Sequence, residues 1–139
     1  MSYGWSIFTL AYTTNSQGAD LQNPWSSYPG YTSVQVESFN RAGEDAFMIK
    51  GAYDFSSLGL KRVTFYGLWV HGWGAVDPST REAVYQQDEY DFDLQWLPKG
   101  GGLKGLWFRL RYAHVDQRGG SDAAANDFRV IVNYDLSTP

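Results

Sequence analysis

Between Glu89 and Trp96 the chain alternates without a break: Tyr90, Phe92, Leu94 and Trp96 are apolar, while Glu89, Asp91, Asp93 and Gln95 are charged or polar. Successive side chains of a strand point to opposite faces, so this stretch predicts a β-strand that separates an apolar environment from a wet one. The pattern returns in Leu106, Phe108, Leu110 and Tyr112 against Arg109 and Arg111, and again in Phe128, Val130, Val132 and Tyr134 against Arg129 and Asn133. Three earlier segments follow the same rule. Residues 5–14 set Phe8, Leu10 and Tyr12 against Thr9, Ala11 and Thr13. Phe47, Ile49, Tyr53 and Phe55 alternate with Met48, Lys50, Ala52 and Asp54. Residues 62–73 gather Val63, Phe65, Trp69 and Trp73 on one face, although Leu68 and Val70 blur the alternation.

The stretches between these segments read as loops and turns. Residues 15–33 carry Gly18, Pro24, Pro29 and Gly30 among Asn, Ser and Tyr, which is loop chemistry. The aromatics Trp25, Tyr28 and Tyr31 predict that this long loop is ordered and packed. Residues 34–39 open a further extended piece, interrupted at Asn40-Arg41-Ala42-Gly43. Residues 56–60 and 98–104 are short returns, whereas 74–86 and 117–126 are longer. The predicted fold is therefore all-β: an antiparallel up-and-down meander of six strands, with tight turns on one edge and three longer connections on the other. Outer-membrane barrels show such an asymmetry. Soluble up-and-down barrels share the alternation but turn the apolar face inward, so a soluble β-barrel ligand-binding module is the alternative. Tyr90, Trp96, Trp107, Tyr112, Trp69, Trp73 and Tyr134 lie towards strand ends, where interfacial aromatic girdles sit, and this favours a segment of a transmembrane β-barrel.

Composition sharpens the choice. Aromatic residues make up 17% of the 139, yet mean hydropathy is −0.40, so large apolar side chains are interleaved with polar ones, as in a barrel wall. The formal charge of −4 excludes nucleic acid as a partner, because a phosphate-binding surface needs a basic excess. The absence of cysteine excludes disulfides and thiolate metal sites. No apolar run approaches the roughly 18 residues of a membrane helix, but spanning strands need only about 9–11 alternating residues each. The start, Met1-Ser-Tyr-Gly-Trp5, lacks the basic and apolar regions of a secretory signal, so an exported protein would have its beginning upstream.

Candidate chemistry is sparse. Glu89, Asp91 and Asp93 lack the glycine-bearing loop that wraps a calcium ion, and a strand spaces alternate carboxylates too evenly for one cation. No metal, cofactor or catalytic residue is expected, and no enzyme. Folding the hairpin about Gly101 instead places Asp93 opposite Arg109 and Asp91 opposite Arg111, with Phe92 meeting Leu110 and Leu94 meeting Phe108. Opposite-charge cross-strand pairs contribute roughly 0.2–1 kcal/mol each. The same exercise about Leu58 pairs Asp54 with Arg62 and Phe47 with Trp69. His71 and His114 sit in no nucleophile or zinc motif and read as interfacial or solvated residues. Gly100-Gly101-Gly102 precedes a strand, not a helix, and reads as a turn.

Three blocks carry a family resemblance: Asn23-Pro-Trp-Ser-Ser-Tyr-Pro-Gly-Tyr-Thr-Ser33; Phe39-Asn-Arg-Ala-Gly-Glu-Asp45 through Gly51-Ala-Tyr-Asp-Phe-Ser56; and Glu89-Tyr-Asp91 through Asn126-Asp-Phe-Arg-Val-Ile-Val-Asn-Tyr134. The last, with Pro98-Lys-Gly-Gly and Arg109-Leu-Arg-Tyr112, is the most specific. Nearly the whole chain resembles the C-terminal part of the OprD family of Gram-negative outer-membrane porins. The resemblance implies that the six segments are the final six strands of a monomeric barrel of about eighteen strands. It implies passive uptake of small carboxylate-bearing solutes, such as amino acids or organic acids, in contact with outer-membrane lipid. By motif and facing, Arg109, Arg111 and Arg129 match the family's ladder of basic residues, and Arg129 is expected to be the freest. Within residues 15–33, Ser26, Ser27, Tyr28 and Tyr31 are the implied constriction-loop residues. The chain, residues 1–139, is accordingly expected to be the C-terminal portion of a longer porin, whose earlier strands and signal peptide are encoded upstream. It ends Asp135-Leu-Ser-Thr-Pro139 and not on the aromatic residue common at barrel C-termini.

Overall fold

A computed structural model describes residues 2–3, 5–21, 32–98, 103, 105–120 and 122–135. Six long strands form one sheet: β2 (Ser6–Thr14), β3 (Asp45–Asp54), β4 (Val63–Trp73), β5 (Gln86–Trp96), β6 (Leu106–Arg118) and β7 (Ala123–Tyr134), preceded by a two-residue β1 (Ser2–Tyr3) that turns back on β2. Every strand pairs antiparallel with its neighbour in sequence, in the order β1 to β7. The predicted meander is present, with β1 as a small addition. No helix among the described residues is long and apolar enough to cross a membrane, and this says nothing of strands.

The alternation fixes the two faces. Phe8, Leu10, Tyr12, Ile49, Phe92, Leu94, Leu110, Phe128, Val130 and Val132 stand exposed on one side, Leu10 at 69% and Val130 at 63%. Gln87, Glu89, Asp91 and Asp93 are buried on the other, each exposed by 1% or less. A water-soluble barrel does the reverse, hiding its large apolar side chains. Here the bare face is the greasy one, and the charged face is covered by the chain's own residues 32–44.

That cover explains the irregular residues of β4. Leu68 and Val70 point to the polar side, where Val70 joins Phe39, Ala46 and Met48 in a small apolar cluster fringed by Ala11, Val34 and Leu68. The polar face becomes apolar where the inward segment docks. Residues 34–39 form no strand. They are a tight excursion closed by the isolated bridge Ser33↔Ser38 and by Val34 N–H donating to Glu37 O at 3.1 Å.

The hairpin registers differ from expectation. Asp93 pairs with Arg111, Gln95 with Arg109 and Asp91 with Ala113, while Phe92 meets Tyr112 and Leu94 meets Leu110. The acids and arginines share a face, but the turn is two residues longer in its offset than folding about Gly101 implies. The earlier hairpin shows the same offset: Asp54 pairs with Thr64 and Phe47 with His71. Its cause is visible. Phe55 leaves the sheet to open a 3-10 turn, Phe55–Leu58, capped by Asp54 accepting from Ser56 N at 2.8 Å. Gly59 and Arg62 then adopt positive φ, at 86° and 65°. Most of the turn at 98–104, including Gly101, lies outside the described residues.

The last connection also differs. Residues 117–126 are not an extended loop, because β6 runs to Arg118, β7 begins at Ala123, and only 119–122 turn between them. Ala123-Ala-Ala-Asn126 has no alternation to announce a strand, yet it pairs in register with 114–117. Thus the edge bearing the longer connections holds two of them, 15–44 and 74–85, and one tight turn.

Aromatics mark both edges of the apolar face. Towards the long-loop edge His71 stacks between Trp69 and Trp73, and Tyr90 contacts Trp69 and His114. Towards the tight-turn edge Trp96 stacks on Phe108 with ring centroids 5.4 Å apart. Trp107 does not belong to this belt, because its odd position places it on the polar face, where the Arg109 guanidinium lies 5.7 Å from its ring centroid.

Candidate functional site

The covered, charged face combines fixed charges with a shaped lining. On β5 and β6 the period of two sends Glu89, Asp91, Asp93, Arg109 and Arg111 inward together. Arg109 and Arg111 converge on one acid. Arg109 Nε donates to Asp93 Oδ2 at 2.6 Å, and Arg111 Nε lies 3.0 Å from the same oxygen, within ion-pair range though off line for a hydrogen bond. Gln95 donates to Asp93 Oδ1 at 3.0 Å, and Arg109 Nη2 reaches the Tyr66 hydroxyl at 3.3 Å.

Arg129 sits directly across the strand pair from Arg111. Like charges facing each other repel, and each has its own acid: Arg111 has Asp93, and Arg129 is ion-paired with Asp127. The three arginines therefore form one cluster. Arg129 is the most exposed, its side chain 44% accessible against 21% for Arg109 and 18% for Arg111. It is also partnered, since Nη2 reaches Gln35 O at 3.5 Å in addition to Asp127.

Glu89 and Asp91 do not pair with arginines. Glu89 Oε1 accepts from Val36 N at 2.7 Å and Oε2 from Glu37 N at 2.7 Å, while Asp91 Oδ2 accepts from Gln35 N at 3.1 Å. These are backbone groups of the inward segment, more than fifty residues away in sequence. The base of that segment is tied separately. Buried Glu44 accepts from Arg41 Nε, Nη2 and N and from Gln87 Nε2, and Arg41 lies 4.7 Å over the Tyr85 ring. Burial, with the Glu89 carboxylate close by, pushes the Glu37 carboxyl above the ordinary carboxylate range, and Arg41 opposes it.

A cavity of about 300 Å³ opens between the inward segment and the wall, lined by Lys50, Tyr66, Arg111, Asp91, Ser33 and Met48. Lys50 stands 4.3 Å over the Tyr66 ring, so the wall carries a fourth cation that the sequence reading did not single out. The signal was present, because Lys50 shares parity with Met48 and Ala52 on the strand's polar face.

The remaining expected residues are placed as follows. Ser26, Ser27, Tyr28 and Tyr31 lie outside the described residues. The part of the long loop that is described and folds inward is 32–44. His71 and His114 stand on the aromatic face, bonded to Asp88 and Asn126 at 3.0 Å each. Among the described residues no cluster of His, Asp and Glu could hold a metal ion.

The fold of this sheet is shared with known proteins. The chain is 27% identical over 118 residues to Porin D of Pseudomonas aeruginosa, a match that covers 76% of this chain and 26% of that protein. Its fold matches crystal structures of two Pseudomonas aeruginosa proteins. The outer membrane protein OpdK matches with a TM-score of 0.84 and 22% identity, over 96% of this chain and 36% of that one. OccK9 (OpdG) matches with a TM-score of 0.80 and 23% identity, over 95% of this chain and 34% of that one. The chain spans about a quarter of the curated relative and about a third of these structures. Residues 1–138 match the family described as outer membrane porin, OprD family, and the chain belongs to that family.

Proposed function

We propose that this chain forms the C-terminal part of the wall of a Gram-negative outer-membrane porin, through which small carboxylate-bearing solutes pass by diffusion. The exposed apolar face with its two aromatic belts meets lipid, and the charged face lines the pore. The remainder of the barrel, encoded upstream, pairs with the two free edges, because lipid does not tolerate unpaired strand edges. The observation that carries this reading is the cluster of Arg109, Arg111 and Arg129 on the inner face beside a segment folded across it.

A carboxylate entering a narrow pore loses hydration, and fixed guanidinium groups replace it with charge-assisted, often bidentate hydrogen bonds. Each arginine here already has an acid, so each attracts an anion only weakly and can release it. Lys50 adds a further cation at the cavity beneath the loop. In this reading Ser26, Ser27, Tyr28 and Tyr31 narrow the passage with the inward segment that follows them. A solved relative, OpdK, has been crystallised with vanillate, itself a carboxylate, and this supports the solute class. The test is single-channel recording and carboxylate uptake in the full-length porin, with Arg109, Arg111 and Arg129 changed singly to Ala. Reduced anion preference and slower uptake in at least one variant are expected. Unchanged values in all three would reduce these arginines to partners of the acids.

A further inference from the structure

The acidic column of β5 has no counterpart in a pathway for anions, and its partners explain why it is tolerated. Glu89 and Asp91 are exposed by 1% or less, on the part of the inner wall where residues 35–37 dock. Burying a carboxylate is costly unless hydrogen bonds satisfy it, and here consecutive backbone N–H groups of Gln35, Val36 and Glu37 reach three of the four oxygens, Asp91 Oδ1 alone having no hydrogen-bond partner. Bonds from N–H to an ionised oxygen are among the stronger hydrogen bonds. The apex carbonyl of Gln35 points the other way, to Arg129 on β7. The apex therefore spans from β5 to β7, with its donors on the acids and its acceptor on a member of the arginine cluster.

We infer that Glu89 and Asp91 are a latch that holds the apex Gln35–Glu37 across the inner wall, and that the docked apex in turn hides these two acids from the pore. The inference rests on the pore reading above. Its consequence is that bore and ionic preference are coupled. A docked apex narrows the passage and leaves the arginine cluster as the dominant accessible charge on β5 to β7. A released apex widens the passage and uncovers two carboxylates one and two rows from Arg111. The base of the segment stays anchored through Glu44, Arg41 and Phe39, so release is confined to the apex. While the apex is docked, Glu89 and Asp91 act on passing ions only through the loop, as positioning residues.

Two kinds of variant separate this from a merely structural role. In the full-length porin in planar bilayers, Glu89→Gln with Asp91→Asn keeps side-chain shape but replaces an acceptor oxygen by a donor at each site. Val36→Pro removes one donated N–H and leaves both acids charged. Heat-modifiable gel mobility reports whether each barrel is folded. The latch predicts a higher unitary conductance, with more current noise, in both. It predicts a shift of reversal potential towards cations in Val36→Pro alone, because only there are charged acids uncovered. If conductance, noise and reversal potential in folded variants all match the parent, the latch is overturned and the pore reading stands. If both variants shift selectivity equally towards cations, the masking half is overturned. If the folded parent carries no current, the pore reading fails and takes the latch with it.

Discussion

Phe39 packs so closely on Gly72 that a Cβ built at Gly72 would stand 2.6 Å from Phe39 Cδ1, and it would also meet the Glu44 carboxylate. Gly72 lies buried on the inner face of β4, where the base of the inward segment docks. Replacing it with Ala forces Phe39 out of its seat. Overpacking of this kind costs about 1–3 kcal/mol, and the loss falls on docking of the segment and not on the strand pairing. Gly72→Ala is expected to give a folded barrel whose residues 32–44 are cut more readily by protease. Unchanged cleavage with normal barrel mobility would show that the contact relaxes without consequence.

Asp93 is the shared partner of two arginines and is itself buried. Asp93→Ala should therefore act in two directions. It removes charged hydrogen bonds worth about 1.5–3 kcal/mol each, which lowers stability against urea. It also frees two guanidinium groups, which raises anion preference in bilayer recordings. A stability loss without any change in reversal potential would mean that the freed arginines find other acids.

The two faces of the sheet should respond oppositely to charge. Val130 stands at 63% exposure in mid-strand on the apolar face. Val130→Arg is expected to destabilise the barrel in lipid by about 2–4 kcal/mol, as charge does near a bilayer midplane. Thr64→Arg, on the polar face, is expected to change conductance far more than unfolding in urea. Equal destabilisation by both would contradict the assignment of lipid and pore sides.

In the connection between β4 and β5, Asp77 closes a turn by accepting from Ser79 N at 2.8 Å and Thr80 N at 2.9 Å. These donors hold its carboxyl below the ordinary aspartate range. Because the folded pKa is depressed, the turn gains stability that is complete above the ordinary value of about 4 and is lost as pH falls through the lowered one. The protection factors of the 77–83 amides, with the intrinsic pH dependence of exchange divided out, should fall on acidification in the parent. In Asp77→Ala they should be low already and not change with pH through this carboxyl.

Much of the wall was legible because alternation is a local signal. Tyr90, Phe92, Leu94 and Trp96 alone define a face, and the same parity placed Arg109, Arg111 and Arg129 together on the other. What escaped depends on backbone geometry or on distant contacts. The positive φ of Arg62 and the 3-10 turn after Asp54 shift a hairpin by two residues, and no periodicity in the strands records that. Leu68 and Val70 look like errors in the pattern until the inward segment is seen to cover them. Glu89 and Asp91 look like partners for the nearest arginines, because their true partners are backbone N–H groups with no residue type to betray them.

The spacing of the strands along the chain also bears on the order in which the sheet closes. β6 and β7 are joined through four residues, 119–122, whereas β2 meets β3 only across the thirty residues 15–44. Closing the longer loop costs about 2 kcal/mol more in chain entropy, roughly three doublings of length. That loop must also carry its own apolar cluster and carboxylate bonds into place beneath the sheet. Strands β3 to β7 are thus the unit that zippers by local steps, and β2 is the late arrival. Fluorescent pairs across β2/β3 should report closure after pairs across β6/β7 when the porin refolds into lipid.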